Sequence, residues 1–489
     1  MLSFLLKLSS DSEFSLQKQL RSQLTGAIIE GHLPCSKPLP STRKLAQQLG
    51  VSRNTVIHTY QQLIDDGYLT SRQRAGYYIN QDMIRDNIRN SSAPIDNHSG
   101  QLPIWADFLK REPSEKKLNK LDNWQSYPYP FIYGQLDPAL FPINHWRECC
   151  RDSVTVQSVK EWTGDRYDDD DTLLIEQIRS RILPRRGVWA ETDEIMITIG
   201  SQHGLYMAFQ LLLNATTTLG IEDPGYPDVV KIAHHADTHI RPLAVDDQGL
   251  IINDQLRGCD LIFTTPSHQF PTTVTLPLAR RQALLAQARR DNFLIVEDDY
   301  ESEVSFAVKP TPALKSLDSD QRVIYLGSLS KTLSPGLRLG YMVANRHLIA
   351  EFREFRRMML RHPPMNNQRA VGLFLARGYH DSLINNLVNV YSQRWQELGQ
   401  ALKEQIPNAA TPAAFAGSAY WIQGSARLDA RDLKRLALEQ GVIIESGDIY
   451  FYHQDCPLNF FRIGYSSIAT DRIKPGINRL ARVIERLVK

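Results

Sequence analysis

The sequence predicts an α/β protein in which a small N-terminal winged helix-turn-helix precedes a large domain built on a mixed, mostly parallel sheet. Three observations support this. Residues 10–80 contain three segments with helical apolar spacing, followed by two short strand-like segments that begin at glycines. Residues 81–125 are rich in Asn, Asp, Ser, Lys and Pro, which is typical of a polar linker. Residues 126–489 alternate short apolar runs with helical patterns, as expected for a sheet covered by helices on both faces.

The composition limits the class and location of the protein. The 489 residues contain no apolar run long enough to span a membrane, so no membrane partner is expected. The five cysteines are odd in number and irregularly spaced, which favours neither a disulfide framework nor a zinc site and indicates a reducing, cytoplasmic location. Residues 1–80 contain nine Lys and Arg but five Asp and Glu, a net charge of +4 within a chain whose total is +2. The basic excess therefore lies in the N-terminal segment.

Apolar residues three or four positions apart predict the helices of this segment. The buried positions are expected to be Leu16, Leu20, Leu24 and Ile28 in the first helix, Leu45 and Leu49 in the second, and Val56, Tyr60 and Leu63 in the third. Ser41 and Ser52 stand at the starts of the second and third helices, where a side-chain oxygen can cap backbone N–H groups. Gly50 suits the left-handed turn between them. This is the plan of a helix-turn-helix, whose third helix enters the major groove.

Polar and basic residues at the starts of these helices predict contacts with double-stranded DNA. Arg53 and Asn54 suit base edges and phosphates, while Arg43 and Lys44 suit the DNA backbone. The expected contact residues are Ser41, Thr42, Arg43, Lys44, Ser52, Arg53, Asn54 and Thr55 of the helices and Arg72 and Arg74 of the wing. The alternative is a three-helix bundle whose basic residues are only solvated, but the local excess of positive charge favours DNA binding.

Four apolar runs of the large domain end in polar residues. In an open α/β sheet, ligands bind beyond the carboxyl ends of the strands, so these segments are expected to form one pocket. They are Gly200-Ser201-Gln202, Pro266-Ser-His268-Gln269, Glu297-Asp298-Asp-Tyr300 and Gly327-Ser328-Leu-Ser330-Lys331. The N–H groups at the start of the helix after Gly200, together with Ser328, Ser330 and Arg338, suit a phosphate.

The remaining residue types suit the ring and aldehyde of pyridoxal 5′-phosphate. Lys331 is an amine that can form a Schiff base, and Asp298 can keep a pyridinium nitrogen protonated. Tyr300 can bond a ring hydroxyl, and Tyr226 can stack on a ring face. Taken singly, each residue also has a structural explanation, such as a surface lysine, a helix-capping aspartate or a tyrosine packed in a loop.

The order of these motifs resembles the MocR-type subfamily of GntR bacterial transcription regulators. Leu-Pro-Ser-Thr-Arg-Lys-Leu-Ala, Gly-Val-Ser-Arg-Asn-Thr-Val and a trailing Gly-Tyr-Leu resemble the GntR winged helix-turn-helix over residues 10–80. Residues 126–489 resemble a fold-type I, aminotransferase-like domain with a smaller C-terminal α+β subdomain. The motifs that carry this resemblance are Phe131-Ile-Tyr-Gly-Gln-Leu-Asp-Pro, Gly200-Ser-Gln, Asp223-Pro-Gly-Tyr-Pro, Thr265-Pro-Ser-His-Gln-Phe-Pro-Thr, Glu297-Asp-Asp-Tyr and Tyr325-Leu-Gly-Ser-Leu-Ser-Lys.

The resemblance implies a role for each pocket residue. Lys331 would form the internal aldimine, Asp298 would face the ring nitrogen and Tyr300 would lie near the ring hydroxyl. The other cofactor contacts would come from Gly200, Ser201, Gln202, Tyr226, His268, Gln269, Ser328, Ser330 and Arg338. Arg462 would bind the carboxylate of an amino-compound effector, and its alternative role is a salt bridge between domains.

The implied function is transcription regulation by ligand sensing. An amino compound would form an external aldimine and shift the body between conformations, so that the heads of a head-to-tail homodimer move on paired operator half-sites. Residual transaminase activity is compatible with this role. Two alternatives stay open: a genuine aminotransferase with a DNA-binding head, and a regulator whose body serves only for dimerisation. The candidate effectors are the cofactor itself and GABA-like, taurine-like or other amino compounds.

Three departures from the family pattern bear on the effector. The acidic run 168–171 is expected to cap a helix and to be solvated, with an altered pocket mouth as the alternative. Thr273 stands where the family usually has a glycine after Phe-Pro-Thr. Asp228 stands where some relatives carry a basic effector-binding residue, which argues against a simple transfer of an anionic effector.

Overall fold

The computed structural model describes residues 6, 8–9, 14–34, 37–72, 76–80, 121–165, 168–301, 303, 311–407 and 417–488. These residues form two compact units, one before residue 81 and one after residue 120. The linker predicted at 81–125 therefore lies almost wholly outside the described residues, as does Arg74 of the predicted wing. Within the described ranges, no helix is both long enough and apolar enough to cross a membrane.

The N-terminal unit is a three-helix bundle with a two-stranded wing. Its elements are α1 (Leu16–Ile29), α2 (Thr42–Leu49), α3 (Arg53–Asp65), β1 (Leu69–Arg72) and β2 (Gly76–Ile79). The Ser41 and Ser52 hydroxyls accept backbone N–H groups in the first turns of α2 and α3, and Gly50 ends α2 at φ +66°. Strands β1 and β2 pair antiparallel. The predicted winged helix-turn-helix is confirmed.

The core of this unit contains most of the predicted apolar residues. Two expectations at helix ends were wrong. Leu16 is exposed because it is the first residue of α1, and Leu49 is only partly buried because it is the last residue of α2. A residue in a terminal turn has fewer neighbours than one in the middle of the helix, although its spacing along the sequence is the same.

An eight-stranded sheet lies at the centre of the C-terminal unit. The strands of this unit are β3 (Tyr129–Pro130), β4 (Ile195–Thr198), β5 (Thr218–Asp223), β6 (His239–Asp246), β7 (Gly249–Leu250), β8 (Leu261–Thr264), β9 (Leu294–Asp299), β10 (Val323–Ser328), β11 (Gly340–Val343), β12 (Ala419–Gln423), β13 (Val442–Ile443), β14 (Glu445–Ser446) and β15 (Phe460–Gly464). The large sheet has the order β4-β11-β10-β9-β8-β5-β6-β7. The five strands from β10 to β6 run parallel, while β11 is antiparallel to both its neighbours and β7 to β6.

Helices cover both faces of this sheet. The helices of the unit are α4 (Ile143–Ser153), α5 (Val156–Trp162), α6 (Thr172–Gln177), α7 (Ser201–Leu212), α8 (Pro227–His235), α9 (Leu278–Asp291), α10 (Arg346–Leu360), α11 (Met365–Ala376), α12 (Tyr379–Gln405), α13 (Ala430–Glu439) and α14 (Thr470–Val488). Apolar residues of α7, α8 and α10 form one core cluster with the sheet, and those of α9 form another. Strands buried on both sides consist of apolar runs without alternation, as in β4 and β8.

The last part of the chain forms the smaller α+β subdomain that the resemblance implies. Its antiparallel sheet has the order β12-β15-β14, and β13 pairs in parallel with β3. Residues of α13 and α14 pack in the same core cluster as residues of β12 and β15. The predicted mixed α/β architecture is thus confirmed in both of its parts.

The acidic run 168–171 is only half as predicted. Asp171 caps α6 by accepting the backbone N–H of Leu174, but Asp170 and Asp171 are buried, not solvated. Asp170 accepts hydrogen bonds from the Arg356 and Arg353 guanidinium groups at 2.8 and 3.0 Å. Burial of these carboxylates is tolerated because arginines distant in the sequence pair with them, which local spacing does not show.

Candidate functional site

A cavity of about 130 Å³ lies at the carboxyl ends of the central strands. Its walls include residues that follow five strands of the large sheet, together with residues of the smaller subdomain and the segment after β3. The lining residues are Tyr133, Ser201, Tyr226, Thr265, Phe270, Asp298, Tyr300, Lys331, Glu445 and Tyr450. The structure thus brings together five of the residues expected in the pocket: Ser201, Tyr226, Asp298, Tyr300 and Lys331.

One end of the site has the features of an anion cradle. Helix α7 begins at Ser201, directly after Gly200. Gly200 has a φ of +74°, a conformation that glycine adopts easily. A Cβ on Gly200 would lie 3.1 Å from Nη2 of Arg338, so the guanidinium approaches the helix start closely because no side chain intervenes. The same Nη2 donates to the Ile199 carbonyl at 3.3 Å. A helix N-terminus beside an arginine fits a phosphate.

The two serines expected at this end differ in their bonds. The Ser328 hydroxyl accepts the backbone N–H of Ser330 at 3.3 Å. The Ser330 hydroxyl donates to the Leu339 carbonyl at 3.3 Å, so its proton is directed to the chain itself. Ser328 therefore keeps a hydroxyl proton to offer in this arrangement, whereas Ser330 supports the loop before Lys331.

Asp228 fixes the tyrosine that is expected to cover the ring. Its Oδ2 accepts the Tyr226 hydroxyl at 3.0 Å and the Gln202 amide at 3.3 Å. Its Oδ1 pairs with Lys231 at 3.0 Å. Asp228 therefore orients the Tyr226 ring and forms an ion pair with Lys231. It is not among the residues that line the cavity.

Asp298 is a buried carboxylate with an unused acceptor. Burial, and then the charge of Asp299, raises the pKa of Asp298 to about 7, although Lys331 and the Ser201 hydroxyl act in the other direction. Its Oδ1 has no hydrogen-bond partner among the described residues. A protonated ring nitrogen would supply the missing donor and the missing positive charge, so the site fits a pyridinium.

Asp299, the next residue, has a structural role instead. Its carboxylate accepts the Arg186 guanidinium at 2.8 Å and the Tyr325 hydroxyl at 2.7 Å. Burial alone would raise the pKa of Asp299, but the Arg186 charge outweighs burial and the pKa is lowered. The two adjacent carboxylates are therefore distinguished by their partners: one is paired within the chain, and the other is left for a ligand.

Asp298→Asn should stabilise the cofactor-free protein by an amount that grows between about pH 4 and pH 7. The folded pKa of about 7 exceeds the ordinary value of 3.8, so the folded state holds this proton more tightly and loses stability as pH rises through that window. Asparagine has no such loss. The gain should level off above pH 7, at no more than roughly 4 kcal/mol, and is measured as the difference in melting temperature across pH.

Asp169→Asn makes the same chemical change at an exposed position, so it is the matched control and should show no such trend. Pyridoxal phosphate should remove the advantage of Asp298→Asn because the ring nitrogen then pairs with the carboxylate. A stability difference that does not vary with pH would contradict the assignment of a raised pKa to Asp298.

His268 and Gln269, both expected in the pocket, lie behind its wall and not among its lining residues. The His268 carbonyl accepts the Tyr300 hydroxyl at 2.8 Å, and burial lowers the pKa of its ring. The Gln269 amide donates to the Pro224 and Phe270 carbonyls at 2.8 and 2.7 Å. Both residues thus support the cavity wall. In the same turn Thr273 adopts φ +67°, the conformation that the family's glycine adopts easily.

Lys331 and Arg462 approach one aromatic ring. The Lys331 Nζ lies 4.3 Å and the Arg462 guanidinium carbon 3.6 Å from the centre of the Tyr133 ring. Arg462 is fully buried, and none of its guanidinium nitrogens has a hydrogen-bond partner among the described residues. Burial opposes this charge, yet Tyr450, Tyr133 and Glu445 raise the pKa of Arg462, so it remains a cation. A buried cation with unused donors fits a ligand carboxylate and disfavours the alternative salt bridge between domains.

Sequence reasoning missed half of the cavity wall. Tyr133 and Phe270 belong to motifs that were noticed, and their aromatic character next to those motifs was the available signal. Thr265 begins one of these motifs, but its hydroxyl bonds to the buried Glu222 at 2.7 Å. Glu445 and Tyr450 gave no signal, because both come from the smaller subdomain. Their place in the site depends on how that subdomain packs.

The N-terminal unit presents a second candidate site on α2 and α3. Arg43, Lys44, Arg53 and Asn54 are exposed, and so is Arg72, whose guanidinium lies 4.6 Å from the Tyr78 ring. The hydroxyls of the N-cap residue Ser52 and of Thr55 hydrogen-bond to each other at 2.9 Å, so these side chains first fix the start of α3. Ser41 has the same capping role in α2.

Thr42 is the exception among the expected DNA contacts. Its residue is only 8% exposed, so its side chain belongs to the inner face of α2 and not to the surface. Its position in the first turn of the helix suggested exposure, but the turn places it next to the buried stripe. The remaining basic residues of α2 and α3 form an exposed positive surface that suits a DNA backbone.

Comparison with known proteins identifies relatives for both units. The family described as "Bacterial regulatory proteins, gntR family" matches residues 16–79, and "Aminotransferase class I and II" matches residues 170–480. The HTH-type transcriptional regulator TauR of Rhodobacter capsulatus is 39% identical over 98% of each chain. The probable rhizopine catabolism regulatory protein MocR of Rhizobium meliloti is 28% identical over 97% of this chain and 95% of its own. A crystal structure of Pyrococcus horikoshii kynurenine aminotransferase shares the fold with a TM-score of 0.71 at 24% identity, covering 79% of this chain and 98% of that one.

Proposed function

Since this chain belongs to the MocR-type transcriptional regulators, in which a GntR head is joined to an aminotransferase class I and II domain, we propose that it senses an amino compound through bound pyridoxal 5′-phosphate. Aminotransferases of this class depend on that cofactor. The observation that carries the proposal is a single cavity lined by Lys331 and by Asp298, whose Oδ1 has no hydrogen-bond partner among the described residues. The Arg462 guanidinium, which also has unused nitrogens, contacts the same Tyr133 ring as Lys331.

The cofactor would be held by residues at the strand ends. The start of α7 at Ser201, with Arg338 and Ser328, would bind the phosphate, and Asp298 would accept the ring N–H. Pyridoxal phosphate supplies an aldehyde that condenses with amines and a ring that withdraws electrons when its nitrogen is protonated. Lys331 is the amine in reach of the cavity.

The other residues of the wall would orient the ligand and exclude water. Asp228 fixes the Tyr226 ring, and the Tyr300 hydroxyl is anchored on the His268 carbonyl. The rings of Tyr133 and Phe270 pack edge to face at 5.5 Å, which closes the apolar side of the cavity. Arg462, stacked on Tyr133, would bind the acidic group of the effector with the donors it does not use within the chain.

The head would convert this binding into an effect on transcription. A GntR head implies DNA binding, and regulators of this type are typically dimeric. We place two such chains head to tail, so that the two α3 helices contact paired half-sites of an operator. Effector binding would favour one conformation of the body and thereby one spacing of the heads.

A spectral titration of the purified, cofactor-loaded protein tests the proposal. Amines and amino acids should change the visible absorption of the bound cofactor without continued release of a keto acid. Absence of any cofactor absorption, or of any response to a broad panel, would overturn the proposal. Sustained, multiple-turnover formation of keto acid would instead favour an aminotransferase with a DNA-binding head.

Arg53→Ala should weaken binding to operator DNA about tenfold or more while leaving the cofactor spectrum unchanged. Arg53 is exposed at the first position of α3, where a guanidinium can bond a base edge or a phosphate. The probe is a duplex selected by the wild-type protein from a randomised library, and affinity is measured by fluorescence anisotropy. Arg21→Ala is the control, because Arg21 is already paired with Asp66 at 2.7 Å. Equal affinities of wild type and Arg53→Ala would contradict the assignment of α3 as recognition helix.

A further inference from the structure

Glu445 places a carboxylate in the wall of the effector cavity. It lies on β14, and its Cα partner on the neighbouring strand β15 is Arg462. Directly opposite residues of an antiparallel pair project on the same face of the sheet, so the acidic and the basic side chain are neighbours. No motif of the sequence points to Glu445.

Glu445 forms no hydrogen bond with Arg462. The Tyr450 hydroxyl donates to its Oε2 at 2.8 Å, and the Arg462 nitrogens have no hydrogen-bond partner among the described residues. Burial, followed by the charge of Glu445, raises the pKa of Tyr450 far above neutrality, so this hydroxyl remains a donor. Tyr450 therefore holds the carboxylate while the guanidinium stays available to a ligand.

We infer that Glu445 restricts the effector to amino compounds with one acidic group. This inference rests on the proposed function and names the effector class for the same site. The amine of the effector is directed to the Lys331 side of the cavity and its acid to Arg462. A second acid would have to lie against the remaining wall, where Glu445 repels it.

Apart from Ser201, Asp298 and Lys331, which the proposed function assigns to the cofactor, the donors of the wall are already used within the chain. The hydroxyl protons of Tyr226, Tyr300 and Tyr450 are donated to Asp228, the His268 carbonyl and Glu445. The Thr265 hydroxyl donates to Glu222 at 2.7 Å. Phe270 contributes only an apolar ring. A neutral or cationic second group is compatible with this wall, because it either avoids the charge of Glu445 or pairs with it.

Isosteric ligand pairs test the inference on the cofactor-loaded full-length protein. Glutamate and glutamine, and likewise aspartate and asparagine, have nearly the same shape but differ by one acidic group. In wild type, we expect the acid to need a concentration at least about tenfold higher than the amide for a half-maximal spectral change. In Glu445→Gln the ratio should fall to within about threefold. The shift in melting temperature caused by each ligand gives a second readout.

Glu439→Gln makes the same chemical change at an exposed position of α13 and should keep the wild-type ratio. Glu445→Asp keeps a carboxylate at this position and should keep the discrimination, so it tests the inference even where Glu445→Gln folds poorly. A wild type that responds equally to both members of a pair, an unchanged ratio in Glu445→Gln, or a lost ratio in Glu445→Asp would overturn the inference.

The failure of this inference is distinguishable from failure of the proposed function. Suppose that the protein responds to amino compounds with one acid, but Glu445→Gln does not change the ratio of acid to amide concentrations. The proposed function then stands, and only the role of Glu445 is refuted. A protein that binds the cofactor and responds to no amino compound contradicts the proposed function, and with it the inference.

Discussion

Lys331→Ala should abolish the visible absorption of the cofactor-loaded protein, whereas its fold and its binding to DNA persist. Lys331 is half-buried in the cavity wall, with its Nζ 4.3 Å from the centre of the Tyr133 ring. Covalent attachment of pyridoxal phosphate needs an uncharged amine at this place, and alanine has none. The measurements are absorption after dialysis and, after reduction with borohydride, mass mapping of the modified peptide.

Two further variants separate the amine from the charge. Lys331→Arg keeps a cation beside Tyr133 but cannot condense with an aldehyde under these conditions, so it should also lose the absorption. Lys403→Ala removes an exposed lysine from the last turn of α12 and should behave as wild type. A reduced cofactor found on a lysine other than Lys331 would show that the site has been assigned incorrectly.

The fold could be predicted from local sequence because its elements are set by short-range signals. Ser52 and Gly50 mark the helix-turn-helix by capping and by a left-handed turn, and both have those conformations in the structure. The fully apolar runs of the central strands distinguish buried parallel strands from half-exposed ones. The errors occur where burial depends on distant partners: Asp170 is buried because Arg356 and Arg353 pair with it.

The candidate site could be predicted only where it is made by strand ends. Ser201, Asp298 and Lys331 each follow an apolar run, and the carboxyl ends of neighbouring strands meet by topology alone. The opposite wall is brought to the cavity by a separate subdomain. Glu445 lies in a two-residue strand, and the residues before and after it along the chain show no regular apolar pattern. The local sequence therefore does not indicate a role for it.

Buried charged groups that stabilise the fold differ from those available to a ligand in the partners they have within the chain. Asp299 has one carboxylate oxygen bonded to Arg186 and Tyr325, although its other oxygen has no partner among the described residues. Asp298 and Arg462 are equally buried but keep unused hydrogen-bonding atoms among the described residues. Burying an unpaired polar atom is costly, so such atoms persist where a ligand completes them. The cavity is lined by Asp298 and not by Asp299, so the unused oxygen of Asp298 is the one that a ligand can reach.

Arg462→Met should lower the affinity for acid-bearing effectors about a hundredfold, yet leave the effector-free protein as stable as wild type or more stable. The guanidinium is a buried cation that lacks a hydrogen-bonded partner within the described chain, so the free protein pays for its desolvation. Bonds to an effector carboxylate offset this desolvation penalty on binding. Removing one member of such a pair costs about 3 kcal/mol of binding free energy. Spectral titration gives the affinity, and thermal unfolding gives the stability.

Three comparisons make this result specific to the acid. A primary amine without an acidic group should respond similarly in wild type and Arg462→Met, because it never uses the guanidinium. Arg462→Lys should recover only part of the affinity, because a single ammonium cannot form the two parallel bonds of a guanidinium. Methionine can still pack between Tyr133 and Phe270, whose ring centres lie 3.6 and 4.3 Å from the Arg462 guanidinium carbon in the wild type. A large loss of stability together with an unchanged affinity for acids would show that Arg462 supports the subdomain and does not bind the effector.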